Sequence, residues 1–277
     1  MLSLGIPNGS LFEPTIELLS RVGVKIKLNG RNFIVDLPNG VVFKKAIIMR
    51  PQDIPEAVFD GMLGAGICGR DCVFEAGLDN KLFEVAEFNY SKKSRAPVRV
   101  VIFGRAGDEI IDKDNILVTS EYPNLTKPFF KKARIRFSHG STEQKVVYGK
   151  YRYGVGVTET GDSLRDNGLA ILKTILVSPT VLVAKNKTPE IEIFGKMLSG
   201  GLASEKYQLI KMNVSQEIKP AVLKNLPALR SPTIGSLIDG SFALETIIKK
   251  ELSAKVIFKL LELGATDIIA QDVNIVL

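Results

Sequence analysis

Three times in its first two thirds this chain runs from a short apolar segment into a turn of glycine, proline, asparagine or hydroxyl residues, and from the turn into a segment of helical periodicity. The turns lie around Pro7-Asn8-Gly9-Ser10, Arg50-Pro51-Gln52-Asp53 and Thr158–Ser163. Strands that alternate with helices predict an α/β fold with a largely parallel or mixed sheet. Such junctions gather at the carboxyl edge of the sheet, which is where open α/β sheets bind their ligands.

The first unit reads as a strand at 3–6 and a helix over 12–22 with Gly23 behind it. Strands at 25–28 and 32–37 follow around the hairpin turn Asn29-Gly30, then a strand at 44–50, a helix at 51–62 and a small-residue strand at 64–69. From residue 97 the pattern restarts, with strands at 97–104 and 115–120 and a helix from Glu121 to Lys132. A strand at 134–138, a short helix at 142–149 and a strand at 151–158 complete it. Two short strand segments within 174–185 would return the chain to the first unit, and a double crossing of this kind predicts two lobes with a cleft between them. The remaining segments read as a strand (207–214), a helix (215–226), two strands (231–237, 241–250), a helix (253–264) stopped by Gly264 and a strand (266–276). That order, βαββαβ, is the ferredoxin-like plan. The expected division is 1–96 plus about 178–205 for one lobe, 97–177 for the other, and 206–277 for the C-terminal domain.

Composition adds exclusions. A chain of 277 residues has room for two or three domains. Hydrophobic residues at 45% and charged residues at 24% exclude a disordered tail protein, and two cysteines exclude a disulfide-stapled miniprotein. No apolar run long enough to span a membrane is present, and MLSLGIPNGS lacks the basic and apolar regions of a secretion signal. The expectation is a cytoplasmic protein with no membrane partner. Cys68 and Cys72 lie four apart, but His139 is the single histidine and lies far along the chain. They read as two reduced thiols near a strand end rather than as zinc ligands. The net charge of +7 suits a polyanionic ligand. Between 127 and 152, eight cations (Lys127, Lys131, Lys132, Arg134, Arg136, Lys145, Lys150 and Arg152) face only Glu143, as a phosphate-facing or a simply solvated surface. Aromatic residues total only 7% of the chain, with no Trp to build a base-stacking platform, so nucleic acid is not an expected partner.

The most informative stretch is VTETGDSLRDNGL, residues 157–169. Thr158, Thr160 and Ser163 supply hydroxyls, Gly161 allows close backbone approach, and a helix beginning near Ser163 would present free N–H groups. That pattern suits a phosphate cradle, although Ser/Thr/Gly turns are also ordinary helix caps. In MRPQDIPEAVFDG, Arg50 ends a strand and can fork onto a phosphate, while Asp53 is placed to cap the following helix. Asn8, Gly9 and Ser10 form a third turn of the same kind. Three such turns around one cleft suit a substrate with several phosphates.

Taken together, IPNGSLFEPTIELL, MRPQDIPEAVFDG, GICGRD, TSEYPNLTKPFF, GSTEQKV, TETGDSLRDNGLAIL, LRSPTIGSL and LLELGATDII resemble, in order and spacing, the long form of the ATP phosphoribosyltransferase family. The resemblance implies a two-lobed periplasmic-binding-protein-like catalytic core with a C-terminal ferredoxin-like (ACT-like) domain. It implies condensation of ATP with phosphoribosyl pyrophosphate, with Mg²⁺, to give phosphoribosyl-ATP and pyrophosphate. Thr158, Glu159, Thr160, Gly161, Asp162, Ser163 and Leu164 would hold the phosphoribosyl group. Arg50 would face the pyrophosphate, with Asn8, Gly9 and Ser10 lining the same cleft. No general base is required, because adenine N1 is already a lone-pair nucleophile, and the catalytic residues and metal ligands are left unassigned. The C-terminal domain would bind histidine as feedback inhibitor, with Ser231 and Thr233 in its Ser-Pro-Thr stretch, in a homo-oligomer from dimer to hexamer. Pure oligomerisation is the alternative role for that domain.

The chain departs from the family pattern at identifiable positions. The strand before the phosphoribosyl loop usually carries acids, where this chain has Arg152 and Gly156. The Asp-X-Gly-Ile motif appears as Gly64-Ala65-Gly66-Ile67, and Asn8-Gly9-Ser10 replaces a basic first turn. An acid lost from the ribose hydroxyls removes about 1–3 kcal/mol of charged hydrogen bonding, and Arg152 nearby would reverse the local field. Glu159 and Asp162 could compensate. The alternatives are therefore a catalytically weak paralogue that binds nucleotide or histidine, and a two-lobed solute-binding protein.

Overall fold

The computed structural model describes residues 2–27, 32–90, 97–227, 229 and 231–277. The chain divides into two compact units, Met1–Gly195 and Lys196–Leu277. Its elements run β1 (Ser3–Pro7), α1 (Phe12–Arg21), β2 (Ile34–Asp36), β3 (Lys45–Met49), α2 (Ile54–Phe59), β4 (Ala65–Gly69), α3 (Arg70–Glu75) and β5 (Phe83–Phe88). They continue with β6 (Val98–Arg105), β7 (Leu117–Ser120), α4 (Pro123–Thr126), β8 (Arg134–Phe137), α5 (Thr142–Val147), β9 (Tyr153–Thr158), α6 (Asp162–Asp166), β10 (Leu169–Ser178) and β11 (Thr180–Ala184). Last come α7 (Pro189–Ala203), β12 (Tyr207–Val214), α8 (Lys219–Asn225), β13 (Thr233–Ser236), β14 (Phe242–Lys249), α9 (Ser253–Glu262) and β15 (Thr266–Asp272).

The first unit holds two mixed sheets. One is six-stranded, in the order β2-β3-β1-β4-β11-β5, and the other five-stranded, β10-β6-β9-β7-β8. β3, β1 and β4 run parallel, as do β8, β7 and β9. The chain passes to the second sheet after β5 and returns at Pro179, so β11 slots antiparallel between β4 and β5. This is the double crossing expected from 174–185.

Small residues let the layers of the first sheet approach. β4 is buried along its whole length. A Cβ on Gly66 would lie 2.3 Å from Ile54 Cγ2, so α2 rests directly on the strand. Ile54, Val58, Leu63, Val73, Val181 and Val183 form the core on that side, together with Cys68 and Cys72. Both thiols are free and buried, and burial pushes both above the usual thiol range. In the second sheet Tyr153 is fully buried yet satisfied, its hydroxyl donating to Glu109 O (2.6 Å) and accepting from Ile111 N–H (3.1 Å).

Several local expectations needed correction. Among the described residues, 24–27 form no strand, and the turn Asn29-Gly30 lies outside them. β2 pairs instead with β3, through a loop closed by Leu37 N–H to Lys44 O (2.9 Å). The loop needs glycine at 40, where a Cβ would sit 1.9 Å from Phe43 O. The expected helix over 121–132 shrinks to α4, because Pro128 would lack the helical N–H and its ring would press on the preceding turn. The N–H groups of Lys131, Lys132 and Ala133 go instead to the Asp112 carboxylate at 2.7–2.8 Å. Asp53 precedes α2 but makes no capping hydrogen bond, since a 3₁₀ turn over Pro51–Asp53 leads into the helix. α3, β5 and α7 were not anticipated.

The second unit is the βαββαβ fold read from the sequence, an antiparallel sheet in the order β13-β14-β12-β15. Alternation divides its two faces. Ile210, Met212, Val214, Leu244 and Ile248 point into a core with Val222, Val256 and Leu260 of α8 and α9. Gly264 takes φ +87 after α9 and ends it.

Candidate active site

The cleft lies in the first unit, and the chain's own chemistry explains how it opens there. β1, β3 and β4 end together, and the segments leaving β1 and β3 meet when Asn8 N–H donates to Met49 O at 2.8 Å. Asn8, Gly9, Ser10 and Arg50 thereby line one cavity of about 600 Å³. Gly9 holds φ +72, which suits the absence of a side chain at that turn. Glu121, Ser138 and His139, from the other sheet's side, complete this cavity. A neighbouring cavity of about 370 Å³ shares Ser10, Pro51 and Gln52 and adds Asp71, Tyr122, Val157 and Glu159. The two groups of turn residues read from the sequence near the amino terminus thus face one space.

The loop after β9 is built by its own side chains. Gly161 adopts φ +82 and its N–H donates to Thr158 Oγ1 at 3.0 Å. Thr160 Oγ1 donates to Asp162 Oδ2 at 2.6 Å, and Arg165 pairs with the other Asp162 oxygen. α6 begins at Asp162, with Ser163 inside it and Leu164 buried beneath. Asp162 is thus committed within the loop, and Glu159 is the loop member that lines the 370 Å³ cavity. The first two turns line the larger cavity, and the third reaches only the smaller neighbouring one, through Glu159.

Three positions depart from the family's acids, and the structure separates them. Gly64 precedes β4 at its amino end, where a Cβ would lie 2.7 Å from Leu2 Cδ2. Arg152 precedes β9 at its amino end, pairs with Asp108 at 3.4 Å and lines a different cavity with Arg105 and Lys150. Roughly 20 Å of strand separates it from Thr158. Arg152 therefore does not reverse the field at the loop after β9, contrary to expectation. Gly156 alone lies at the cleft end of its strand. β7 and β9 run in parallel register, Ser120 opposite Val155, and Glu121 N–H continues the ladder by donating to Val155 O at 3.0 Å. This sets Glu121 beside Gly156, with Oε1 3.3 Å from where a Cβ on Gly156 would be.

Sequence reading missed three residues of this cleft. Glu121 is half-buried and accepts from Thr142 Oγ1 at 2.6 Å. Burial holds its carboxyl above the usual range and Glu143 adds to the effect, while the Thr142 bond and Lys145 oppose it. Asp71 is 5% exposed; its carboxylate takes the Ser178 hydroxyl, and its own N–H donates to Ser178 Oγ at 2.8 Å. Tyr122 lines the same cavity, its phenol raised by burial and by Asp71. The acid in GICGRD directly after a buried strand was a readable signal for Asp71. Glu121 lies within TSEYPNLTKPFF, but no chemical pattern in that stretch marks it as a cleft acid. In the second unit Thr233 lies on the edge strand β13, opposite Glu245, which pairs with Lys211 at 2.8 Å. Ser231 precedes the strand, and both are exposed.

Fold and cleft together define a two-lobed α/β protein of the periplasmic-binding-protein type, joined in sequence to a ferredoxin-like domain. The model of the ATP phosphoribosyltransferase family matches residues 50–200, and that of the HisG C-terminal domain residues 204–274. An ATP phosphoribosyltransferase of Nitratidesulfovibrio vulgaris (strain DP4) is 36% identical over 99% of this chain and 97% of its own length. ATP phosphoribosyltransferase 1 of Geobacter sulfurreducens is 33% identical over 99% and 98%. Among solved structures, the ATP phosphoribosyl transferase (HisG:HisZ) complex from Thermotoga maritima matches with a TM-score of 0.61 and 26% identity, covering 72% of this chain and 97% of that one. The chain belongs to the ATP phosphoribosyltransferase family, in its long form.

Proposed function

We propose that this chain condenses ATP with phosphoribosyl pyrophosphate to give N1-phosphoribosyl-ATP and pyrophosphate, under feedback control by histidine. The observation that carries the reading is the match to full-length ATP phosphoribosyltransferases over 99% of the chain, with both family segments present in order. In the reaction the adenine N1 lone pair forms a bond to ribose C1, and the bond from C1 to the pyrophosphate oxygen breaks. The demands on the protein are alignment and charge neutralisation, not proton abstraction. The loop Thr158–Leu164 would hold the 5-phosphate and ribose, with Glu159 reaching the shared cavity. Arg50 would face the departing pyrophosphate, and Asn8, Gly9 and Ser10 would line the space for ATP.

Mg²⁺, when bound, would neutralise pyrophosphate charge. Among the described residues no group of three or more His, Cys, Asp or Glu side chains gathers to hold it. Its oxygens would then come mostly from the substrate, with one or two cleft carboxylates such as Glu159 or Asp53. The C-terminal domain would take histidine near Ser231 and Thr233, with Thr233 opposite Glu245 on the neighbouring strand. Assembly into a homo-oligomer, dimer to hexamer, would use this domain, whose edge strand β13 is exposed along its full length. Among the described residues no helix is long and apolar enough to cross a membrane, which is compatible with a cytoplasmic enzyme.

The test is turnover: purified protein with ATP, phosphoribosyl pyrophosphate, Mg²⁺ and pyrophosphatase, following phosphoribosyl-ATP with and without histidine. Product that histidine suppresses supports the whole reading. No product, with nucleotide or histidine still bound, would identify the weak paralogue instead.

A further inference from the structure

Glu121 is a cleft carboxylate that the proposed reaction has not used. It enters the 600 Å³ cavity from the end of β7, facing Asn8, Gly9, Ser10 and Arg50. The strand beside it offers no side chain at Gly156, and the Glu121 Oε1 stands 3.3 Å from the position a Cβ there would occupy. Two residues further along that strand lies Thr158, where the loop proposed to hold the phosphoribosyl group begins. The carboxylate is aimed, not loose: Thr142 Oγ1 donates to Oε1 at 2.6 Å and is itself bonded to Ser138 Oγ at 3.0 Å. A carboxylate has about four acceptor positions, so one hydroxyl leaves most of its capacity for a ligand. The other acids that line this cavity are placed differently. Glu75 accepts from the N–H groups of Asn124 and Leu125, at 2.8 and 2.9 Å, and Asp53 is exposed on the opposite side.

We propose that Glu121 binds the ribose hydroxyls of the phosphoribosyl substrate, supplying from β7 the carboxylate that β9 lacks at Gly156. A vicinal diol presents two O–H donors, and a half-buried carboxylate with its other bond fixed accepts both without reorganising. Burial already disfavours its charged form, and paired hydroxyl donors would offset that cost. The proposal rests on the transferase reading, and the test separates the two.

Calorimetry on the full chain, without ATP, measures binding of phosphoribosyl pyrophosphate and of inorganic pyrophosphate. The first variant is Glu121→Gln, which keeps the shape and the Thr142 contact. Its affinity for phosphoribosyl pyrophosphate is expected to fall about 10–100-fold, the loss of charge-assisted hydrogen bonds. Its affinity for inorganic pyrophosphate, which has no ribose, is expected to stay within twofold. In steady state the KM for phosphoribosyl pyrophosphate rises while that for ATP does not. In a second pair, Glu121→Ala/Gly156→Asp regains phosphoribosyl pyrophosphate binding over Glu121→Ala, because removing the glutamate opens room for an acid on β9. The proposal is overturned by Glu121→Gln binding phosphoribosyl pyrophosphate as the unaltered chain does, by equal losses for both ligands, or by no recovery in the double variant. An unaltered chain that fails to bind phosphoribosyl pyrophosphate at all would instead overturn the transferase reading on which it rests.

Discussion

Replacing Gly161 by valine tests the loop proposed to hold the phosphoribosyl group, at the point where its backbone is most constrained. Gly161 sits at φ +82, a region that costs an L-residue about 1–2 kcal/mol and a β-branched one more. A Cβ there would also come 3.2 Å from Ile171 Cδ1 and 3.5 Å from Arg165 Nη1. If the backbone flips to escape, it loses the Thr158 Oγ1 bond at 3.0 Å and the Arg165 N–H bond to Gly161 O at 3.1 Å, each worth about 1 kcal/mol. Either route costs about 2–3 kcal/mol, or about 4–12 °C in the melting temperature of a unit this size. A loop displaced by about 1 Å loses about 100-fold in turnover. Gly168 supplies the control, at φ +70 with nothing within 4 Å of its Cβ position. Gly168→Val should share the thermal cost and leave phosphoribosyl pyrophosphate affinity unchanged. Calorimetric titration of both variants decides the matter: unchanged affinity in Gly161→Val, with the expected melting shift, would refute the loop's role.

Gly66→Ala should destabilise by about 1–3 kcal/mol through overpacking against Ile54 Cγ2 at 2.3 Å, and a denaturation midpoint equal to that of the unaltered chain would contradict the packing described. Cys68 and Cys72 should react with a thiol reagent at pH 8 only after unfolding, being buried and raised above the usual range; rapid labelling of the native chain would refute that. Thr233→Arg should blunt histidine inhibition without changing uninhibited turnover, and an unchanged inhibition curve would remove Thr233 from the regulatory site. Because burial raises the Glu121 carboxyl, the folded chain keeps that proton to higher pH than the unfolded chain. Stability should therefore fall as pH rises through the interval between the unfolded and the raised folded values. Glu121→Gln should flatten that slope in pH-dependent unfolding, and an identical slope would show that the group is not perturbed.

What was legible in the sequence depended on whether the signal was local. Buried strands such as VRVVIFG and TVLVA carry their own apolar runs, and the βαββαβ unit alternates along β12 and β14, so these emerged with nearly correct bounds. The helix over 121–132 failed because its apolar spacing outweighed Pro128, whose missing N–H ends regular structure in that segment. The described residues 24–27 form no strand, and β2 pairs with β3, a partner that only the loop around Gly40 specifies. The turns at Asn8–Ser10 and Arg50 were readable as cleft-formers because strand–turn–helix junctions have one geometric outcome. Glu121 was not readable, because its significance arises from the register of β7 against β9. Arg152 and Gly64 looked disruptive as departures from a pattern, yet both lie at the amino ends of their strands.

The slotting of β11 between β4 and β5 also constrains the order of events during synthesis. β5 occupies the sheet edge with β11 as its neighbour, so residues 83–88 have no strand to pair with until residues 180–184 emerge. The intervening segment can complete its own five-stranded sheet as far as β10 before that moment. A ribosome translating this message therefore presents a finished inserted body while the lobe encoded first remains open. A nascent chain arrested before residue 180 would expose the flanks of β4 and β5 to other chains, and chaperone demand should peak in that interval of elongation.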